Sequence, residues 1–497
     1  MPDSPGSPSV DHAPRVENVS RRARADLVIV ANRLPVDRVV DEDGSVTWRR
    51  SPGGLVSALA PVMAEQPGAW IGWPGDAGEN LDPFENEGMY LVPVAISATE
   101  YEEYYEGFSN ATLWPLYHDV VAKPEFHREW WDSYVEVNRR FADAAAKVAA
   151  EGAVVWVQDY QLQLVPALLR ELRPDLRIGF FLHIPFPPAE LFSQLPWRRE
   201  LLEGLLGADL VGFQLSGAAQ NFIRLVRQRV GHKTHRDSVY LPDGRIVTAK
   251  AYPISIETSA FEKLAASDEV QERAARIRQD LGNPRKLFLG IDRLDYTKGI
   301  YARLRAFSEL IHDGHFTVED ATFVQVASPS RERVDQYRIL RDDIDQLVGH
   351  INGDLGRIGR PAISYLNSSF PQSEMAALYV ASDIMVVTPF RDGMNLVAKE
   401  YVACRLEGDG ALVLSEFAGA AEELKQAYLV NPYDINGMKA QMLEAYRAEE
   451  KELGKRMRAM RRTVAENDVA HWASAFLTDV RAARPTHAKN VKPARRS

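Results

Sequence analysis

Short, nearly continuous apolar runs recur along the chain and are separated by longer amphipathic segments. The runs form two sets, at 26–32, 153–159, 177–185 and 208–213, and at 286–292, 321–327, 383–389 and 411–416. Runs of this length predict strands buried on both faces of a parallel sheet. The segments between them show helical periodicity, at 127–149, 190–206, 216–230, 299–312, 331–348 and 434–449. This alternation predicts α/β layers that are doubly wound, with helices on both faces of each sheet.

The alternation divides near residues 253–260, where a polar helical segment at 259–281 leads into the second set of strands. We therefore predict two Rossmann-like domains that face each other across a cleft, at 25–257 and 258–464. The last helical segment, 465–482, is followed by no further strand, and we expect it to complete the first domain. Ligands of such sheets bind outside the carboxyl ends of the strands.

Composition narrows the classes of function. The 497 residues include 59 basic and 69 acidic side chains, a net charge of −10 that argues against general nucleic-acid binding. The only cysteine, Cys404, excludes an intrachain disulfide framework and a multi-cysteine zinc site. No apolar run approaches the about 18 residues of a membrane span, so we expect no membrane segment. Residues 1–24 lack the apolar core of a secretory signal, and we expect a cytoplasmic protein.

Both ends of the chain have the composition of disordered segments. Residues 1–24 lack periodic apolar positions, and residues 484–497 form a basic, proline-containing tail.

Candidate anion-binding groups follow the first strand. Arg33 comes directly after it, and the pair Gly53-Gly54 opens a helical pattern at 54–65. A glycine pair at a helix start lets backbone N–H groups approach a phosphate, while the helix N-terminus favours negative charge. We expect these groups to contribute to an anion site.

Later strand ends carry the candidate chemistry of a sugar diphosphate. His183 follows the strand at 177–182 on a loop fixed by prolines, and Arg293 and Lys298 follow the strand at 286–291. The planar fork of arginine and the compact charge of lysine together suit a diphosphate.

The segment RDGMNLVAKE, 391–400, follows the strand at 383–388. Gly393 frees the turn, and the next helix begins at Met394 to Leu396, where backbone amides can receive phosphate or sugar oxygens. Asp392 is placed to accept hydrogen bonds from sugar hydroxyls. Glu400 lies deeper in the helix, within reach of a ribose diol.

Seven motifs in this order resemble the α,α-trehalose-phosphate synthase family of retaining glycosyltransferases, which have the two-domain GT-B architecture. They are ANRLP (31–35), SPGGL (51–55), FSNATLWPLYH (108–118), WVQDY (156–160), FFLHIPFP (180–187), DRLDYTKG (292–299) and RDGMNLVAKE (391–400). The resemblance runs from about residue 26 to residue 482.

The resemblance implies transfer of glucose from UDP-glucose to glucose 6-phosphate, giving α,α-trehalose 6-phosphate and UDP. By position it implies a donor site of Gly53, Gly54, His183, Arg293, Lys298, Phe370, Asp392, Gly393, Met394, Asn395, Leu396, Val397, Ala398, Lys399 and Glu400. It implies an acceptor site of Arg33, Tyr105, Trp114, Asp159 and Arg331. Of these residues, we expect the catalytic role to fall to His183, Arg293, Lys298 and Asp392.

The resemblance also implies a front-face mechanism, in which the leaving phosphate helps to take the proton of the acceptor. Asp159 is the competing nucleophile candidate. We expect no metal or other cofactor, because Arg293 and Lys298 can stabilise the leaving diphosphate. Asp343 and Asp345 imitate a metal-binding pair, but two residues apart on a helix they point to different faces. We expect a homo-oligomer, with no nucleic-acid or membrane partner.

The chain departs from the family where many relatives read His-Asp-Tyr-His and it reads Gln158-Asp159-Tyr160-Gln161. This puts the surroundings of Asp159 in doubt rather than the reaction. Three alternatives stay open: another phosphorylated acceptor such as glycerol 3-phosphate, ADP- or GDP-glucose as donor, and a silent sugar-phosphate sensor. A nicotinamide dehydrogenase is disfavoured, because no Gly-x-Gly-x-x-Gly follows a strand.

Overall fold

The computed structural model describes residues 24–40, 46–51, 68–78, 80–331 and 333–483, together with Val56, Leu59 and Met63. Its strands, in chain order, are β1 Ala25–Arg33, β2 Val36–Val40, β3 Val46–Arg50, β4 Gly68–Trp73, β5 Phe84–Asn86, β6 Met89–Pro93, β7 Ala149–Gln158, β8 Arg177–Phe181, β9 Leu210–Phe213, β10 Lys233–His235, β11 Ser238–Tyr240, β12 Ile246–Ala251, β13 Lys286–Arg293, β14 Ala321–Ser328, β15 Ile363–Leu366, β16 Ile384–Val387, β17 Ala411–Ser415 and β18 Tyr428–Val430.

Sixteen of these strands form two sheets, and β2 and β3 form a separate antiparallel pair. The first, called here the large sheet, has ten strands in the order β10-β11-β12-β9-β8-β7-β1-β4-β6-β5. Its central strands are parallel, and antiparallel pairs occur only towards its two edges. The second, called the small sheet, has six parallel strands in the order β15-β14-β13-β16-β17-β18. The predicted α/β class with two Rossmann-like sheets is confirmed.

Helices cover both sheets. The longer ones are Arg128–Val148, Val165–Leu172, Arg198–Leu205, Ser216–Leu225, Thr258–Ala266, Asp268–Asp280, Ile300–His312, Asp335–Leu355, Gln372–Ala381, Leu396–Cys404, Ile435–Arg447, Glu450–Glu466 and Val469–Ala482. A π-helix, Tyr101–Leu113, leads into the short helix Trp114–Tyr117. In the part of the chain that the structure describes, no helix is long and apolar enough to cross a membrane.

Two predicted elements differ from the structure because of proline. The strand predicted at 177–185 ends at Phe181, and the loop that follows contains Pro185, which cannot donate to a sheet ladder. The helix predicted at 190–206 is divided into Ala189–Phe192 and Arg198–Leu205, with Pro196 between them.

The last helix, Val469–Ala482, returns to the large sheet. Phe476 stacks on Trp156 of β7 with ring centres 4.5 Å apart, and Trp472 lies 5.1 Å from the same ring. A Cβ on Gly179 or on Gly212 would come within 2.7 Å of the Phe476 ring. Small residues on two strands therefore let this aromatic helix pack closely against the sheet.

Candidate active site

A cavity of about 480 Å³ lies between the two sheets, where the carboxyl ends of strands from both sheets meet. Loops after β7, β8 and β9 line one side, and loops after β13, β14 and β16 line the other. Ligands of open α/β sheets bind at such strand ends. The cavity is therefore the candidate active site.

Two cations face this cavity, Arg293 at the end of β13 and Lys298 on the loop that follows it. Gly299 ends the loop with a φ of +64°, and a Cβ there would lie 2.2 Å from the carbonyl oxygen of Thr388. Beneath the loop, the fully buried Arg303 donates to the carbonyl oxygen of Lys298 at 2.8 Å. The glycine and the buried arginine together fix the backbone that carries Lys298.

Lys298 forms an ion pair with Asp392 across the cavity floor, with 2.6 Å between ammonium nitrogen and carboxylate oxygen. Asn395 donates to the same carboxylate at 3.2 Å. Burial would raise the pKa of Asp392, but Lys298 outweighs it and holds the pKa below its ordinary range. The Asp392 carboxylate is thus ionised at the cavity wall, beside Lys298.

The turn before helix Leu396–Cys404 forms one wall of the cavity through Met394, Asn395, Leu396 and Val397. Asn395 caps the helix: it has a φ of +78°, and its side chain accepts from the amide of Ala398 at 3.3 Å. A helix N-terminus presents unpaired N–H groups and a partial positive charge. This end of the helix can receive phosphate or sugar oxygens.

Five of the predicted donor residues that the structure describes do not line the cavity: Phe370, Gly393, Ala398, Lys399 and Glu400. Ala398 is buried in the core, and Phe370 packs against the same core cluster. Glu400 accepts from the hydroxyl of Tyr379 at 2.7 Å. The Lys399 side chain is 1% exposed and pairs with Glu423, and its part in binding the donor stays a prediction.

His183 lies at the floor of the cavity on the proline-fixed loop after β8. Its Nε2 atom is 2.9 Å from the amide oxygen of Gln158. Burial lowers the pKa of His183 to about 3. The imidazole is therefore neutral near pH 7 and acts as a hydrogen-bonding group rather than as a cation.

Asp159 follows β7 with a φ of +72°, a strained conformation for a residue other than glycine. One of its carboxylate oxygens accepts from the amides of Tyr160 and His183, at 2.9 and 3.1 Å. Burial raises the pKa of Asp159 to about 6, although these two amides and nearby arginines oppose the rise. Asp159 thus combines a strained backbone with a weakly acidic carboxyl group at the wall of the cavity.

An aromatic and cationic cluster forms another part of the cavity wall. The guanidinium groups of Arg331 and Arg293 lie 3.9 and 5.4 Å from the centre of the Trp114 ring. Arg331 also donates to the hydroxyl of Tyr160 at 3.1 Å, and Tyr105 lines the same wall. Two cations over an indole ring make this part of the wall suited to a phosphorylated sugar.

Arg33 lies outside the cavity lining. Its guanidinium group pairs with Asp37 at 3.0 Å and stacks over Trp73 at 5.0 Å, and its side chain is 45% exposed. Trp73 in turn lies 6.1 Å from Tyr105. Arg33 is thus separated from the cavity by one layer of aromatic rings. Gly53 and Gly54 lie outside the residues that the structure describes.

His118 lines the cavity and Asp295 contacts Arg331 of its wall, and both were present in the motifs but were assigned no role from the sequence. Asp295 is buried and accepts from the hydroxyl of Tyr337 at 3.1 Å, with a guanidinium nitrogen of Arg331 at 3.5 Å. Burial would raise the pKa of Asp295, but Arg331 and other cations hold it below the ordinary range. His118 contacts the carbonyl oxygen of Trp114 at 2.7 Å, and burial lowers its pKa to about 4. Their position within DRLDYTKG and LWPLYH was the available signal.

The model of glycosyltransferase family 20 matches residues 25–482. The chain belongs to glycosyltransferase family 20. It is 58% identical over 465 residues to the trehalose-6-phosphate synthase of Mycolicibacterium paratuberculosis, covering 91% of this chain and 94% of that one. The resemblance to the trehalose-phosphate synthases is thus confirmed, and the chain is an enzyme of the glycosyltransferase class.

Two solved structures share the fold and bear on the ligands. An E. coli structure bound with UDP-2-fluoro glucose has a TM-score of 0.85 and 33% identity, covering 92% of this chain and 99% of that one. An α,α-trehalose-phosphate synthase (UDP-forming) from Burkholderia xenovorans, in complex with glucose-6-phosphate, has a TM-score of 0.84 and 34% identity. That match covers 92% of this chain and 100% of the other.

Proposed function

We propose that the chain transfers glucose from UDP-glucose to glucose 6-phosphate, forming α,α-trehalose 6-phosphate and UDP. The observation that carries the proposal is that one cavity contains two sets of anion-binding side chains. Arg293 and Lys298 stand beside a helix N-terminus, and Arg331 stands over Trp114. A reaction between a sugar diphosphate and a sugar phosphate needs two such sets. The ligands in the two related structures support the same pair of substrates.

The donor is assigned to the side of the cavity formed by the small sheet. As the glycosidic bond breaks, negative charge grows on the diphosphate, and fixed cations stabilise it more in the transition state than in the ground state. Each charge-assisted hydrogen bond contributes about 1.5–3 kcal/mol. Realised in the transition state, that amounts to about tenfold to a hundredfold in rate for Arg293 or Lys298.

The acceptor is assigned to the end of the cavity that contains Tyr105, Trp114 and Arg331. The 6-phosphate would pair with the guanidinium group of Arg331, and the sugar ring would lie along the aromatic wall. The Asp295 carboxylate, 3.5 Å from Arg331, helps to orient the guanidinium group. Arg33, which lies behind Trp73, would act on the acceptor at longer range.

We propose transfer with retention by the front-face route, without a covalent sugar-enzyme intermediate. The Asp159 oxygen that accepts two backbone amides is already engaged, which supports a binding role rather than attack on the sugar. A slow fluorinated donor followed by intact-protein mass spectrometry tests this. No glucosyl adduct is expected, and an adduct on Asp159 would establish the double-displacement route instead.

The substrate assignment is tested by a matrix of UDP-, ADP- and GDP-glucose against glucose 6-phosphate, glycerol 3-phosphate and glucose, with products identified by mass. The expected result is a disaccharide monophosphate only in the wells that contain glucose 6-phosphate. Preference for glycerol 3-phosphate would show that the acceptor is not glucose 6-phosphate. Binding without turnover in every well would indicate a sugar-phosphate sensor.

A further inference from the structure

The side chain of Lys399 extends from the donor segment 391–400 to the linker between the two sheets. Its ammonium group donates to the carbonyl oxygen of Ile254 at 2.9 Å and to the Glu423 carboxylate at 2.6 Å. Burial lowers the pKa of Lys399, and the Glu423 carboxylate opposes that change. A buried ammonium group is stable only when it is paired and fully hydrogen-bonded, so these contacts fix the position of Lys399.

Ile254 lies in that linker, after β12 ends at Ala251 and before the helix that begins at Thr258. Its N–H group donates to the amide oxygen of Gln214 at 2.9 Å, and Gln214 follows β9 of the large sheet. Its carbonyl group accepts from Lys399, which belongs to the small-sheet side. The two backbone groups of this one residue are therefore held from opposite sides of the cleft.

The same network leads back to residues 392–397, called here the donor turn. Gln214 donates to the carbonyl oxygen of His183 at 3.4 Å. A Cβ added at Gly393 would lie 2.2 Å from that same oxygen, so the donor turn and the His183 loop are in direct contact. Contacts thus run from Gly393 through His183, Gln214 and Ile254 to Lys399, and both ends of this path belong to one segment.

We propose that Lys399 is a positioning residue for the reaction: it ties the donor turn, residues 392–397, to Ile254 and so sets how the turn meets His183. This proposal rests on the assignment of the turn to the donor in the proposed function. Loss of the tie would let the turn shift against the large sheet. Donor binding would weaken, while Tyr105, Trp114 and Arg331 would keep their positions for the acceptor.

A buried ion pair can also serve only to stabilise the fold, and a matched lysine separates the two roles. Lys439 on helix Ile435–Arg447 pairs with Glu309 and Asp313, at 3.1 and 2.6 Å, and its side chain is 16% exposed. It does not line the cavity. Lys439→Met removes a lysine with two carboxylate partners and leaves the donor turn untouched.

The test compares Lys399→Met with Lys439→Met by the KM of each substrate and by calorimetric affinity for UDP. For Lys399→Met we expect the KM for UDP-glucose and the Kd for UDP to rise by about tenfold or more, equivalent to 1.4 kcal/mol. The KM for glucose 6-phosphate should stay within about twofold, and Lys439→Met should leave all three constants within the same margin. Unchanged donor constants, or an equal rise for both substrates, would overturn the proposal.

Glu423→Gln decides the question if Lys399→Met shows no cooperative unfolding transition. Glutamine keeps an acceptor near Lys399 but removes the balancing charge, so we expect UDP affinity to fall by about threefold or more. Unaltered UDP affinity in this variant would refute the tie. A wild-type chain that binds UDP but glucosylates no glucose 6-phosphate would refute the proposed reaction alone, since UDP affinities still test Lys399.

Discussion

The guanidinium group of Arg331 lies 3.9 Å from the centre of the Trp114 indole ring. Arg331 follows β14 of the small sheet, whereas Trp114 begins a short helix on the side of the large sheet. The contact therefore crosses the cleft and keeps a cation over an aromatic surface. A sugar phosphate bound there would meet groups from both sides of the cleft.

Arg331→Ala is expected to raise the KM for glucose 6-phosphate by about tenfold or more, the loss of one charge-assisted hydrogen bond. Arg331→Lys should recover only part of this, because lysine keeps the charge without the planar fork. Arg33→Ala is also expected to raise this KM, by a smaller factor, since Arg33 lies outside the cavity lining. Initial rates against glucose 6-phosphate at saturating donor measure these values. An unchanged KM in both alanine variants would refute the acceptor assignment.

Lys298→Ala is expected to lower kcat by about tenfold to a hundredfold, because a cation that stabilises the leaving diphosphate is lost. The fold should survive, as judged by a cooperative thermal transition, with some loss of stability because Asp392 loses its partner. Lys439→Met serves as the control for removal of a lysine remote from the cavity. Turnover near that of the wild type in Lys298→Ala would remove this residue from the site.

Activity is expected to persist in EDTA. Arg293 and Lys298 both line the cavity, and we propose that they balance the charge of the diphosphate without a metal ion. The measurement is the initial rate of UDP release with excess chelator, followed by addition of Mg²⁺. If chelation abolished turnover and Mg²⁺ restored it, the metal-free account of the reaction would be wrong.

Asp159→Asn is expected to stabilise the fold at pH 7.5 and to have little effect at pH 4. The pKa of Asp159 rises from an ordinary 3.8 to about 6 on folding, so the folded state favours the protonated carboxyl group. Its contribution to stability is complete below about pH 4 and is lost as the pH rises through 6. The loss is about 3 kcal/mol at most. Urea unfolding of both proteins at the two pH values measures it, and a pH-independent difference would contradict the raised pKa.

The alternation of apolar runs was sufficient to predict the two central sets of parallel strands. It did not predict the three antiparallel strands β10 to β12, because their exposed positions break the apolar runs. It also missed the buried strand β4, which pairs with β1 inside the large sheet. Helix Tyr101–Leu113 was also missed as an element, since its wide turns do not follow the period of an α-helix. The division into domains near residue 257 stays a prediction.

Within the candidate site, residues directly after a strand were the easiest to place. Arg293, Lys298, His183 and Asp392 all line the cavity, as strand ends lead one to expect. Lys399 shows the limit of this reasoning. A motif gives the position of a residue in the chain but not the direction of its side chain, which here depends on the distant Ile254 and Glu423.

The central claim is that glucose is transferred with retention onto the anomeric hydroxyl of glucose 6-phosphate. The most direct test is anomeric NMR of the product formed from UDP-glucose labelled with ¹³C at C1 and unlabelled glucose 6-phosphate. The account predicts one labelled α-anomeric carbon, coupled through the glycosidic oxygen to the α-anomeric proton of the unlabelled phosphorylated ring. A labelled β-anomeric signal, or a linkage to any other hydroxyl of the acceptor, would contradict it.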